Sequence, residues 1–383
     1  MDLPNVISGE VGGSAVQTGT VHGGVHMHHA ARTRSVRPVP RQLPPDTYRF
    51  TGRAEELDRL DARAGTSTLI TGTAGVGKTA LAVHWAHLRR DRFPDGHLYA
   101  DMRGHAPRGP LSAGQALEGF LHALDVDPEL VPVDTEDKAA LYRSVTDGRR
   151  LLVLVDNISD ADQARPLLAA SDTVTVIVTS RNRLPGLVAR DGVGRLGLDV
   201  LSPDESIALL RATAGGDRVD ADPAAAARIV EQCARLPLAL RVAAERCADS
   251  PYTTLADLAA DLATEQDRLD LLSSGDDPSA AVRAVLSWSY RALPPDAAAA
   301  FRAFGLHVTS EASLDALAVL LDVPTASARR VVGILAAAHL AEPTARDRYR
   351  VHDLLRAYAV ERARADQSPA EGTAAARRGS ATT

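Results

Sequence analysis

One segment constrains this chain more than any other: Gly72-Thr73-Ala74-Gly75-Val76-Gly77-Lys78-Thr79 reads G-x-x-x-x-G-K-T. Before it, Ser67 to Thr71 is β-rich; after it, Ala80 to Ala86 reads as helix. A strand feeding a glycine-rich turn and then a helix makes a cradle of backbone N–H groups for phosphate, with the helix dipole aimed the same way. Gly72, Gly75 and Gly77 let the backbone curl, and Val76 and Ala80 complete the loop and first helical turn around the ligand. Lys78 is placed to reach the β- and γ-phosphates, and the Thr79 hydroxyl to ligate Mg²⁺. A glycine loop without a ligand is the plain alternative, and the strand–loop–helix context argues against it. The expected cofactors are ATP or ADP with Mg²⁺.

Two further strands support this. Leu151-Leu152-Val153-Leu154-Val155-Asp156 is an apolar run ending in an acid, as a buried parallel strand delivering a carboxylate to Mg²⁺ would read. The next residue, Asn157, cannot accept a proton as a general base, so fast hydrolysis would need a base from elsewhere. Thr173 to Thr179 runs into Ser180-Arg181, and an arginine at that strand end can sense a γ-phosphate through charge-assisted hydrogen bonds; a surface arginine is the alternative. Lys78, Asp156 and Arg181 are therefore the catalytic candidates, at most for slow turnover serving a switch.

The 383 residues suffice for two or three domains. Helices alternate with short strands from Tyr48 to about Leu196, which predicts an α/β domain with a parallel sheet. Ala/Leu-rich helices follow Leu198; with 4% aromatic residues in the chain, Ala and Leu carry its apolar content, which favours helices. Residues 31–47 are Pro-rich and read as a solvated linker, and 363–383 as a disordered tail. The net charge of -6 argues against a generally basic nucleic-acid binder. Cys233 and Cys247 fit no metal spacing and read as buried thiols in a reducing compartment. No apolar run approaches the ~18 residues of a membrane span, so the expectation is a cytoplasmic chain with no membrane contact.

Together these segments resemble the NB-ARC class of STAND ATPases, over about Tyr48 to Arg362. Phe50-Thr51-Gly52-Arg53-Ala54-Glu55-Glu56-Leu57 is similar to the family's F-x-G-R-x-x-E-L, which implies that Phe50, Gly52 and Arg53 pack beside adenine and ribose. Leu98 to Gly104 looks like its strand ending in D-L-R-G, and Thr179-Ser180-Arg181 matches its sensor. Leu236-Pro237-Leu238-Ala239-Leu240 matches G-L-P-L-A-L with Arg235 in place of glycine, which implies Pro237 against the base. Val351-His352-Asp353 resembles M-H-D, which implies that His352 holds the β-phosphate of ADP. The resemblance further implies a nucleotide-binding domain over 48–196, a helical domain over 197–276 and a winged helix over 281–362. Most members continue into a sensing repeat array, so the sensor is expected to be another polypeptide or the winged helix itself.

From Ile7 to His28, small or apolar and polar residues alternate with period two. Val16-Gln17-Thr18-Gly19 resembles the V-Q-x-G core of RHIM-type motifs, and residues 1–30 look like a bacterial amyloid signalling motif. That implies an oligomer, formed in the ATP state, that templates a cross-β signal onto an effector carrying a matching motif. A flexible glycine-rich tail, or a metal site from His22, His26, His28 and His29, are the alternatives. Three functions compete at this stage. They are a nucleotide-gated signalling scaffold, a transcriptional regulator acting through DNA or a DNA-binding partner, and a free-standing ATPase. Direct nucleic-acid binding is not expected, because Leu335 to His339 offers almost no basic side chains to phosphates.

Overall fold

The computed structural model describes residues 38–105, 109–168, 170–250, 252–263, 265–272, 281–307 and 309–366. The expected amyloid-type motif, its histidine alternative and most of the C-terminal tail lie outside these residues.

Five strands, β1 (Ser67–Thr71), β2 (Gly96–Asp101), β3 (Leu151–Ile158), β4 (Val174–Ser180) and β5 (Gly194–Gly197), form one parallel sheet in the order β2-β3-β4-β1-β5. The apolar runs divide by parity. Ile70, Leu152, Leu154 and Ile177 pack with Leu81 and Trp85 of the helix Lys78–Leu88. Leu69, Leu98, Val153, Val155, Val176 and Val178 pack with Phe120 and Tyr142, from the helices Ala113–Ala123 and Thr135–Thr146. Successive strand side chains point to opposite faces, so continuous apolar runs signal a sheet covered on both sides. The expected α/β class is what is observed.

The β3–β4 register shifts between Val155 and Ile158, which frees Asp156 and Asn157 from pairing with β4. On the other side Asp156 stays in register with Asp101 of β2. The strand ends that matter for chemistry are thus β1, β3, β4 and β2, all at one edge of the parallel sheet. This is where ligands bind in open α/β folds.

The Pro-rich stretch does not stay free of the sheet beyond residue 39. Arg41 bridges to His97, with His97 N–H donating to the Pro40 carbonyl at 2.8 Å and Gln42 N–H to the His97 carbonyl at 3.0 Å. His87 Nε2 lies 2.8 Å from the Pro44 carbonyl, and His84 Nδ1 lies 3.0 Å from Asp46. Backbone pairing satisfies an otherwise open sheet edge, a gain that composition does not reveal.

After β5 come the helices Pro203–Ala214, Gly216–Ala221, Pro223–Gln232, Pro237–Asp249, Leu255–Asp261 and Glu265–Leu271. Ser202 caps the first through a capping box with Glu205. Cys233 and Cys247 are buried and unpaired, and burial pushes the Cys233 thiol up to about 12. The last part has helices Val282–Arg291, Pro295–Leu306, Leu314–Leu321, Thr325–Ala337 and Asp353–Asp366, with a small antiparallel sheet ordered β6 (Glu311–Ser313), β8 (Arg348–Arg350), β7 (Glu342–Ala345). That is the helix-and-hairpin layout of a winged helix. Among the described residues no helix is long and apolar enough to cross a membrane.

Candidate functional site

The phosphate loop is held open by its backbone. Gly75 and Gly77 have φ of 79° and 94°, in the left-handed region that glycine enters without a Cβ penalty. A Cβ on Gly75 would meet Leu238 at 3.1 Å and Leu236 at 3.3 Å, so the segment around Pro237 packs directly on the loop. Leu238 N–H donates to the Gly75 carbonyl at 3.2 Å, and Pro237 opens its helix at the first turn. The Arg235 backbone has φ 54°, so this arginine adopts the conformation that glycine would favour at that position.

Lys78, 7% exposed, donates from Nζ to the Gly72 and Thr73 carbonyls, both at 2.9 Å. Burial, and then the nearby Arg181 charge, lower its pKa to about 7, with Asp156 acting in the opposite sense. Asp156, 2% exposed, receives the Thr79 hydroxyl at 2.8 Å and a short hydrogen bond from Thr179. Burial raises the Asp156 pKa, outweighing those hydrogen bonds and Lys78. Arg181 is likewise held down to about 10 by burial.

A cleft of about 370 Å³ is lined by Lys78, Thr79, Ala80, Asn157, Arg181 and Pro237, with Gly75, Gly77, Thr47, Arg241 and Trp288. Two buried cations that resist charging and a buried carboxylate that resists ionising fit a site made for an anion and a cation together. A triphosphate with Mg²⁺ meets both needs. The loop N–H groups, Lys78 and Arg181 would hold phosphate, and Thr79 and Asp156 the metal. Bound Mg²⁺ would supply charge neutralisation between phosphates.

Phe50 stacks on His84, ring centroids 4.1 Å apart and 13° from parallel. Arg53, 5% exposed, acts as a strut. It donates to the Val76 carbonyl at 3.3 Å and the Asp199 carbonyl at 2.6 Å, and pairs with Glu56 at 3.0 Å. Its backbone N–H donates to Glu205 at 2.7 Å, and a Cβ on Gly52 would meet that same carboxylate. His352 does not line the Lys78 cleft. It faces a second cavity, of about 220 Å³, with Thr73, Arg183, His339 and Arg350, and pairs with Glu342 at 3.3 Å.

Three groups receive no site role from sequence. Arg241, one turn after Pro237 on the same helix face, lines the cleft and donates to the Tyr48 carbonyl at 3.3 Å. Asp101, at the end of β2, accepts from Asn157 Nδ2 at 3.1 Å. Among the described residues His105 Nδ1 is buried with no hydrogen-bond partner, and burial, then Arg181 and Lys78, lower its pKa to about 4. Among the described residues no cluster of His, Cys, Asp and Glu could hold a metal by itself.

A Walker-type ATPase of Pyrococcus abyssi superposes on 83% of this chain and 99% of its own length, with a TM-score of 0.55 and 14% identity. The fold is that of a P-loop ATPase. Two relatives share sequence with this chain, both called regulatory protein AfsR. The one from Streptomyces coelicolor is 42% identical over 363 residues, spanning 92% of this chain and 36% of that protein. The one from Streptomyces griseus is 41% identical over 337 residues, spanning 86% and 34% respectively. The chain thus spans about a third of the length of these relatives. No protein-family model matches the chain.

Proposed function

We propose that this chain is the nucleotide-responsive core of a regulatory protein of the NB-ARC/STAND class. ATP or ADP with Mg²⁺ in the Lys78 cleft selects between two arrangements of the P-loop domain and the C-terminal helices. One observation carries the reading. Arg181 lines the phosphate cleft, yet its guanidinium is engaged by the helix Val282–Arg291, through the Val285 carbonyl at 2.8 Å, Ser289 Oγ at 3.3 Å and the face of Trp288. A γ-phosphate competes for the same guanidinium, while ADP leaves it where it is. Differential contact of this kind is what a ligand needs to shift a conformational equilibrium. A shift of about 2 kcal/mol would be a ~30-fold change in populations.

The regulatory relatives and the order of the matching segments support the class. In the finer reading, the ATP form self-associates and clusters residues 1–30 to recruit an effector. A transcriptional role, through DNA or a DNA-binding partner, is the second reading, favoured by relatives named as regulatory proteins. The first experiment is calorimetric titration of Mg²⁺ with ADP and with a non-hydrolysable ATP analogue, followed by limited proteolysis of each complex. One bound nucleotide per chain, with cleavage near 282–291 changed by the ATP analogue alone, supports the switch. Identical digests with both nucleotides would remove it.

A further inference from the structure

Asn157 sits where β3 leaves the sheet, its backbone at φ 56°, and lines the cleft beside Lys78, Thr79 and Arg181. Its backbone N–H donates to Thr179 Oγ1 at 3.1 Å, and its carbonyl accepts from Gly104 N–H at 2.8 Å. The side-chain amide is equally constrained. Nδ2 donates to Asp101 Oδ1 at 3.1 Å and to Asp156 Oδ2 at 3.2 Å. The Asp101 carboxylate at the end of β2 accepts and does not donate, so the NH₂ group faces the acids and Oδ1 faces away. Among the described residues Oδ1 receives no hydrogen bond. The second acid comes from the neighbouring strand, because Asp101 and Asp156 are register partners in β2 and β3.

We propose that Asn157 Oδ1 orients the water that attacks the γ-phosphate of ATP, and that Asp101 is the positioning residue that keeps the amide turned that way. This rests on the nucleotide-binding reading above. The water oxygen bonds to the γ-phosphorus while the bond from that phosphorus to the β–γ bridging oxygen breaks. ADP leaves with the bridging oxygen, and the protons of the water pass to the phosphate product and to solvent. The amide accepts a hydrogen bond and never a proton. Orientation without proton abstraction gives slow turnover, as a switch requires.

The test uses the full chain and two readouts: single-turnover ADP formation, and affinity for ADP with aluminium fluoride, which mimics the in-line transition state. Asn157→Ala and Asp101→Ala are expected to lower both by about ten-fold or more, with affinity for ADP alone within about two-fold. Asn157→Gly, which tolerates the left-handed backbone, stands in if the alanine variant is unstable. Asp101→Asn keeps an acceptor oxygen and is expected to recover most of the loss. Wild-type affinity of the Asn157 variants for the aluminium fluoride complex would overturn the proposal. So would an Asp101→Asn variant as impaired as Asp101→Ala, since Asp101 would then be the proton acceptor. A wild-type chain that binds no nucleotide at all would instead defeat the reading beneath it.

Discussion

The guanidinium of Arg181, at the end of the fourth sheet strand, donates to the backbone carbonyl of Val285 across 2.8 Å. These residues are 104 positions apart, and their bond joins the P-loop domain to the C-terminal helices. With the stacked Trp288 ring 5.4 Å from the Arg181 guanidinium carbon, the contact is worth about 2 kcal/mol. Arg181→Ala should therefore speed amide hydrogen exchange in 282–291 several-fold without nucleotide, and erase any difference between the ADP and ATP complexes there. Unchanged exchange would mean that the contact does not hold the two parts together.

Lys78 is buried beside a second cation, and burial outweighs the attraction of Asp156, so its charge costs the empty protein stability. Lys78→Met keeps the length and removes the charge. The expected outcome is lost nucleotide binding by calorimetry with a melting temperature at or above that of the wild type. A fall of more than about 5 °C would show that its two bonds to loop carbonyls outweigh the desolvation.

The same residue makes nucleotide binding pH-dependent. The folded pKa of about 7 lies below the ordinary 10.5, so between these values the unfolded chain holds a proton that the folded chain lacks. Stability of the empty protein therefore rises with pH across that window, and the penalty is full below about pH 7. Bound phosphate restores the ammonium, so binding at pH 8 should take up a proton and weaken as pH rises to 9. Titrations in two buffers of different ionisation enthalpy measure the uptake directly, and zero uptake would refute it.

Arg235 occupies a left-handed backbone position, φ 54°, just after Ala234 at φ 50°. For a residue with a Cβ this costs about 1 kcal/mol. Arg235→Gly should raise the unfolding free energy measured by denaturant titration by about 1 kcal/mol, with nucleotide affinity unchanged. A destabilised variant would mean that the arginine side chain contributes more than its backbone costs.

How much of this was legible in the sequence follows from how far apart the interacting residues lie. The phosphate loop, the strand ending in Asp156 and the strand ending before Arg181 could be read directly. Loop conformation depends on glycines within eight residues, and apolar runs dictate a sheet covered on both faces. The same local logic identified Asn157 as a group that cannot act as a base. Tertiary structure alone decided the rest. It made Arg53 a strut to the Val76 and Asp199 carbonyls, turned His352 toward a cavity beside Thr73, and docked residues 40–42 on the sheet edge. It also set the Asn157 amide between Asp101 and Asp156, and gave Arg181 to Val285. Each of these contacts except the adjacent Asp156 joins residues at least 23 positions apart, and a pattern of local propensities carries no term for them. Which hydrogen-bond partner a buried arginine or amide finds is settled only when the strands and helices have packed.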